Sequence, residues 1–337
     1  MAQREKNTLI QKVYNTIKKY DLIKTGDKLV LGVSGGPDSI CMLDIFIKIK
    51  EKQQYHFDFV VAHVNHMIRD EAKEDEEFVK AYCKKNQIQF YAKSIDVQKI
   101  ANNNKISTEE AGRNVRYNFF DEILQKISGN KIAIAHNKND KVETIIMNEL
   151  RGCGISGLKG IEPIRDKYIR PLIECEREEI EKYCDENNLQ PRIDKTNFEN
   201  IYTRNKIRNV VIPYIKEEFN PNIIETIDRL SKLVTEQESY IQKQVQQIYK
   251  EIAIEELNQQ SIVLDLKQFN RQEKVIKSNL IIYIITRLFH TAKGIERIHI
   301  EDIITLCEKN IGNKFLMPNK NLKVFVKNGK IKFSKEV

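Results

Sequence analysis

Ser34-Gly35-Gly36-Pro37-Asp38-Ser39 decides how this chain is read. It lies between the apolar run Lys28-Leu29-Val30-Leu31-Gly32-Val33 and the segment Ile40-Cys41-Met42-Leu43-Asp44-Ile45-Phe46. That order predicts a strand, a glycine turn and a helix. Two adjacent glycines let backbone N–H groups come close to an anion, because no Cβ intervenes. Pro37 suits the first helical position, where no N–H is needed. The helix then aims its positive end at the same point. Ser34 and Ser39 add hydroxyl donors. Asp38 adds a carboxylate that tolerates a phosphate only beside a cation, for which Mg²⁺ is the natural choice. An ordinary glycine-rich βα turn is the alternative. Neither a Walker A loop nor a Gly-x-Gly-x-x-Gly fingerprint is present.

Working outward, the pattern repeats. Phe57 to Val64 is a near-continuous apolar run, as expected of a buried parallel strand. Residues 88–92 and 131–136 read as further strands, and 5–22, 38–50, 70–86, 108–126 and 140–150 as helices. Ser107 and Glu110 have the spacing of a capping box. Strands alternating with helices predict an α/β, doubly wound parallel sheet, with its ligand beyond the carboxyl ends of the strands. The glycine loop, His63 and the stretch His136 to Asp140 all fall at such ends. Beyond Asn220-Pro221 the periodicity becomes helical, with apolar residues from Ile223 to Ile248 at near-heptad spacing and further helices over 267–290 and 299–310. Leu322 to Phe333 is a hairpin turning on Asn328-Gly329, its strands alternating lysine with apolar residues. That lysine ladder suits either a phosphate backbone or the protection of an edge strand. The expected organisation is an ATP-binding catalytic domain over 1–216 and a mostly helical, nucleic-acid-binding domain over 217–337 that ends in the basic hairpin.

Composition narrows the class. With 337 residues, 41% of them hydrophobic and 31% charged, the chain is long enough for two or three domains with a proper core. No segment approaches the ~18 uninterrupted apolar residues of a membrane span, and the N-terminus does not read as a signal peptide. A cytoplasmic protein is expected. The net charge of +8 fits an anionic partner such as nucleic acid, or simply a lysine-rich proteome. The six cysteines form no C-x-x-C pair and read as reduced thiols. His63 and His66 have ligand-like spacing but no matching second pair.

SGGPDS matches the loop of the PP-loop, or N-type ATP pyrophosphatase, superfamily, whose members split ATP between its α and β phosphates. Further motifs follow in order: Ala62-His63-Val64-Asn65-His66-Met67-Ile68-Arg69, Glu110 to Tyr117, Ala135 to Thr144, Arg151-Gly152-Cys153-Gly154 through Gly157-Leu158, Arg170-Pro171-Leu172, and Tyr202 to Arg208. Together they resemble the tRNA(Ile)-lysidine synthetase family. The resemblance implies a five-stranded parallel sheet of the adenine nucleotide alpha hydrolase-like type. It also implies a reaction in which ATP adenylates the wobble cytidine of a CAU-anticodon tRNA(Ile), free L-lysine displaces AMP, and pyrophosphate is released.

Carried over residue by residue, ATP would be held by Ser34, Gly35, Gly36, Pro37, Asp38, Ser39, Ala62, His63 and His136. Mg²⁺ would be held by Asp38 and Asp140. Glu143 or Asp140 would receive the lysine ammonium, Arg113 would clamp the α-phosphate, and Arg69, Arg116, Arg204, Lys206 and Arg208 would face the tRNA. Members of the family include homodimers. The chain departs from the family pattern where Asn137 and Asn139 replace a histidine and an aspartate, and where Cys153 replaces a serine. A further C-terminal domain of longer members is expected to be absent. The rival expectations are a tRNA-thiolating PP-loop enzyme and a non-catalytic tRNA-binding relative.

Overall fold

A computed structural model describes residues 8–52, 56–67, 72–192, 202–256, 260–309 and 314–336. The chain divides into two compact units, Met1–Lys232 and Leu233–Val337.

In the first unit the elements run α1 (Leu9–Lys19), β1 (Lys28–Gly32), α2 (Pro37–Glu51), β2 (Asp58–Asn65), α3 (Ala72–Lys85), β3 (Phe90–Ser94), α4 (Val97–Asn104), α5 (Thr108–Lys126), β4 (Lys131–Ile134), α6 (Lys138–Leu150), β5 (Ile164–Arg165), β6 (Tyr168–Ile169), α7 (Arg177–Glu186), α8 (Thr203–Lys206), α9 (Ile212–Glu218) and the start of α10 (Ile223–Ile252). The six strands lie in the order β3-β2-β1-β4-β6-β5. Five are mutually parallel and β5 returns antiparallel at the edge. Helices cover both faces, so the central strands are apolar throughout rather than alternating. Leu29 and Leu31 pack on one face with Ile40, Leu43 and Phe46. Val30 packs on the other with Phe119, Phe120 and Ile123 of α5. Strand order reverses at β1, which pairs with β2 on one side and β4 on the other. A crevice opens at the carboxyl end of such a switch point, between the loop after β1 and the loop after β4.

The expected α/β doubly wound sheet is present, with differences. Helix α5 has the predicted bounds, and Ser107 Oγ accepts the N–H of Glu110 at 3.1 Å, the forward half of the predicted capping box. The return bond is missing among the described residues. Helix α4 escaped sequence analysis because Asn102-Asn103-Asn104 interrupts its apolar pattern. The fifth parallel strand, β6, is two residues long, too short for any periodicity to register.

The second unit holds the rest of α10, then β7 (Ala253–Glu256), β8 (Ser261–Asp265), α11 (Leu266–Asn270), α12 (Lys274–Phe289), α13 (Arg297–Lys309), β9 (Lys314–Asn319), β10 (Leu322–Lys327) and β11 (Lys330–Lys335). The predicted hairpin is β10–β11, registered from Leu322↔Lys335 to Lys327↔Lys330. It is part of a five-stranded antiparallel sheet ordered β7-β8-β11-β10-β9. The predicted helix over 267–290 is two helices, divided at Arg271-Gln272-Glu273.

Gly32 ends β1 at the mouth of the crevice, and a Cβ there would stand 2.5 Å from the ring of Phe120. Gly32→Ala is therefore expected to cost about 1–3 kcal/mol by overpacking, with partial recovery in Gly32→Ala/Phe120→Leu. Chemical denaturation of both variants checks this, and an unchanged midpoint for the single variant would refute it.

Candidate active site

The loop after β1 is braced by its own last residue. Ser39 Oγ accepts the N–H groups of Ser34 (3.2 Å) and Gly35 (3.1 Å) and donates to Gly36 O (3.0 Å). Gly35 has φ +96°, a conformation that L side chains rarely adopt. Gly36 is the N-cap of α2 and Pro37 its first residue, as the sequence predicts. The backbone N–H of Arg192 reaches Gly35 O at 3.0 Å and holds the loop from outside. On β2, the His63 ring Nδ1 lies 2.9 Å from Val33 O in a buried setting, which fixes the ring and leaves Nε2 as its free nitrogen. Burial also lowers the pKa of His63.

The loop after β4 supplies the other half. Asn137 caps α6: its side-chain oxygen accepts the N–H of Asp140 (2.9 Å), while its own N–H donates to Asp140 Oδ2 (3.1 Å). The remaining arm of the amide, Nδ2, donates to Asp38 Oδ1 at 2.8 Å. One neutral side chain therefore ties the N-termini of α2 and α6 together and separates two carboxylates. Burial together with the nearby Asp140 pushes Asp38 up to about 6. Burial opposes ionisation of Asp140 too, but Arg204 and Arg208 outweigh it and hold its carboxyl below the ordinary value. His136, desolvated beside them, falls to about 4 and is neutral at physiological pH.

One turn further along α6, Glu143 is 1% exposed. Arg208 Nε and Nη2 donate to its two oxygens at 2.6 and 2.8 Å, and Arg204 Nε donates to Oε2 at 3.0 Å. Arg208 Nη2 also reaches Asp140 Oδ1 at 3.0 Å. Arg177 stands further off, 3.8 Å from Glu143 and 4.0 Å from Asp140. Arg204 and Arg208 are four residues apart, on α8 and the π-helical turn that continues it (Ile207–Val211), so they share one helix face. Two lysines of α6 turn away from the crevice toward α10, Lys138 to Glu225 (2.7 Å) and Lys141 to Asp228 (2.9 Å).

The result is a cleft of about 1190 Å³ lined by the glycine loop, His63 to His66, Arg116, His136, Arg177, Arg192 and Arg208. It exceeds the ~300–1,000 Å³ of a typical small-molecule site and has room for a nucleotide together with part of a second substrate. Of the residues expected at the site, Ser34, Gly36, Pro37, Asp38, Ser39, His63, His136, Arg116 and Arg208 line this cleft. Gly35 is buried inside the loop, and Ala62 is a fully buried residue of β2 packed against Phe119 and Phe120. Arg113 is exposed, its guanidinium 4.7 Å over the Tyr117 ring. Lys206 is exposed. Arg204 and Arg208, expected to face tRNA, are turned inward, because two buried carboxylates on α6 need cationic partners. Glu143, expected to receive an ammonium ion, already has both oxygens bonded to arginine. Arg69 lies outside the described residues.

Sequence analysis did not pick out Asn137, Arg177 or Arg192 for the roles they fill. The first was legible as Asn-x-x-Asp immediately after a strand, the pattern of a capped helix start. The two arginines come from a distant segment and carry no local signal. Asn139, a departure from the family pattern, accepts the N–H of Arg177 at 3.0 Å and so satisfies the first turn of α7.

A strand, an SGGPDS loop and a capped α2 at the switch point of a parallel sheet define a PP-loop nucleotide-binding protein, and the PP-loop domain family matches residues 4–215. The fold is shared with the U34-tRNA thiolase NcsA from Methanococcus maripaludis, at TM-score 0.56 and 19% identity, over 67% of this chain and 78% of that one. Closer in sequence are the tRNA(Ile)-lysidine synthase of Clostridium acetobutylicum, 46% identical over 96% of this chain and 69% of its own length, and that of Caldanaerobacter subterraneus, 43% identical over 92% and 66%. The chain belongs to the tRNA(Ile)-lysidine synthase family. It spans about two thirds of the length of these relatives.

Removing one partner of a buried ion pair strands the other charge, which typically costs 3–5 kcal/mol. Glu143→Ala is expected to destabilise the first unit by about that much. Arg208→Ala should do the same, and the double variant should lose clearly less than the sum. A double-mutant cycle followed by urea denaturation measures the coupling; strict additivity would mean that the pair contributes nothing to holding the site.

Proposed function

We propose that this chain joins free L-lysine to C2 of the wobble cytidine of a CAU-anticodon tRNA(Ile), at the expense of ATP. The observation that carries the reading is the pair Asp38 and Asp140, held by Asn137 at the facing N-termini of α2 and α6, in a chain of this family. In the first step the cytidine O2 attacks the α-phosphate of ATP and pyrophosphate leaves. In the second the lysine amine attacks C2, the C2–O bond breaks, AMP departs with the oxygen, and the amine gives up a proton.

The glycine loop and two helix N-termini supply donors and positive potential where the phosphates would lie. Ser39 Oγ braces those donors from behind. The donor set also fits Mg²⁺. That ion takes one or two carboxylates and completes its shell with phosphate oxygens and water. Asp38 has one oxygen bonded to Asn137 and the other left for a cation. Burial, and after it the nearby Asp140, raises the pKa of Asp38, and a divalent ion would relieve both. Such an ion would neutralise the departing pyrophosphate.

A lysine amine, with a pKa of ~10.4 in water, must lose a proton before it attacks. Asp140 and Glu143, at the start of α6, are the acceptors proposed for that proton, and Arg204 and Arg208 hold them oriented. These two arginines are thus positioning residues, and the tRNA contacts fall to Arg116, Lys206 and Arg69. Asn137 performs with a neutral amide the bridging that holds the two aspartates. A cytoplasmic location follows from the substrates; among the described residues no helix is long and apolar enough to cross a membrane.

The test is direct. With labelled lysine, ATP, Mg²⁺ and the CAU-anticodon tRNA(Ile), the protein should incorporate one lysine per AMP released. Asp38→Asn should lower the rate by about 10²-fold or more, the usual loss when a charge-stabilising group is removed. Cys153→Ser should remain within twofold of wild type, since Cys153 abuts Gly157 and is not among the residues that line the cleft. Absence of lysine incorporation into authentic tRNA would refute the assignment, and a large loss on Cys153→Ser would favour thiolation.

A further inference from the structure

The sheet of the second unit has one covered face and one open face. Ile262, Leu264, Leu322, Val324, Val326, Ile331 and Phe333 point inward, buried in one core with Leu280, Ile284, Ile303 and Cys307 of α12 and α13. Strand alternation sends the intervening residues to the other side. There the register aligns a row across all five strands: Ile254↔Val263, Val263↔Lys332, Lys332↔Phe325 and Phe325↔Phe315. Phe315 is 54% exposed, Met317 beside it 49% and Ile254 at the far edge 62%. Two phenylalanines directly opposite each other on neighbouring strands stabilise a sheet by only ~0.2–1 kcal/mol, a small return for leaving half a ring in water.

Lys323 and Lys327 alternate to this side with Phe325, and Lys330 with Lys332, whereas Lys335 and Lys314 are in register with the inward Leu322 and Val326. Lys323 Nζ sits 5.1 Å from the centre of the Phe315 ring. Lys327 and Lys330 are exposed on either side of the hairpin turn. Three acids face these four lysines: Glu256 holds Lys332 at 2.6 Å, Glu336 holds Lys323 at 3.3 Å, and Asp265 lies in register with Lys330, which leaves Lys327 at the turn beside none of them. An exposed ring opposite a half-buried one, with Lys323 beside it and Lys327 and Lys330 at the adjacent turn, matches the chemistry of unpaired nucleotides, whose bases stack on aromatic faces while their phosphates take the cations. A duplex hides its base faces and would use only the lysines.

We propose that the open face of this sheet is a platform for unpaired RNA nucleotides, with Phe315 and Phe325 stacking bases and Lys323, Lys327 and Lys330 meeting phosphates. The inference rests on the reading that the substrate is an RNA, and it assigns to the second unit a contact separate from the reacting cytidine. The chain contains no tryptophan, so Phe315→Trp places a unique fluorophore on the platform. Titration of this variant with a 12-nucleotide oligo(C) strand should quench its emission saturably, while an RNA duplex of the same length should not. By anisotropy with the labelled strand, Phe315→Ala and Phe325→Ala should each weaken binding roughly five- to hundredfold. Phe315→Trp should bind as wild type does. Lys327→Gln/Lys330→Gln should make the salt dependence shallower by about 1.4, near 0.7 per lost phosphate contact.

Unchanged affinity in Phe315→Ala with an unchanged melting curve would overturn the proposal, as would equal binding of strand and duplex. A dimer that Phe315→Ala converts to monomers in sedimentation would identify a second copy of the chain as the occupant and overturn it too. Quenching without lysine incorporation would leave the platform standing and remove the ligase reading; lysine incorporation with no effect of Phe315→Ala would do the reverse.

Discussion

One amide sets the geometry of the site. Asn137 accepts from the Asp140 N–H, donates its own N–H to the Asp140 carboxylate and donates its side-chain NH₂ to Asp38. It is fully buried, so each of these bonds replaces one that water would otherwise supply, and losing any of them would leave an unsatisfied group at a cost of ~1–3 kcal/mol. The two aspartates belong to helices that follow different strands. Without the amide, repulsion between them would separate those helix N-termini. With it, α2 and α6 start at a fixed separation across the switch point, and both helix ends face the same space.

The second constraint is charge neutrality in a buried volume. Asp140 and Glu143 lie one turn apart on α6 and are nearly inaccessible. Carboxylates so placed either protonate or find cations. Here they find Arg204 and Arg208, carried on a short helix and a π-helical turn. A π turn inserts a residue into the helical repeat and re-aims the side chains that flank it, which suits an element that must deliver two guanidinium groups to one carboxylate. Buried pairs of this kind are weak contributors to net stability, but they tolerate few alternative arrangements. Their consequence is orientation. Lys138 and Lys141, on the same helix as the two acids, are paired with Glu225 and Asp228 and so do not compete for Asp140 and Glu143.

Much of this was legible from sequence, for reasons that differ from one residue to the next. The loop and its strand and helix could be read because apolar strand, paired glycines and N1 proline all have local causes. The boundaries of α5 could be read because its cap is adjacent to it. The inward turn of Arg204 and Arg208 could not, since a basic run beside an aromatic looks the same whether it faces phosphate or a carboxylate more than sixty residues earlier. Nor could the sheet of the second unit. Lys314–Asn319 contains a proline and Ala253–Glu256 reads as the tail of a long helix, so only the hairpin, with its Asn-Gly turn, announced itself. The open aromatic face depends on which strands pair, and pairing is a tertiary property.

The departures from the family pattern bear on chemistry less than residue identity alone suggests. A neutral imidazole has one donor and one acceptor, fixed by tautomer, whereas an amide offers two donors and an acceptor that can bifurcate. At position 137 the structure uses a donor toward Asp38 and an acceptor toward α6 simultaneously, which an amide does without choosing a tautomer or carrying a charge. At position 139 the side chain accepts the N–H of Arg177. A neutral oxygen is sufficient there, and its neutrality removes one negative charge from a cluster that already holds Asp38, Asp140 and Glu143 against three arginines. Within this cluster Asp38, Asp140 and Glu143 stand with Arg177, Arg204 and Arg208. The two asparagines thus hold the starts of α2, α6 and α7 together without adding charge to the cluster.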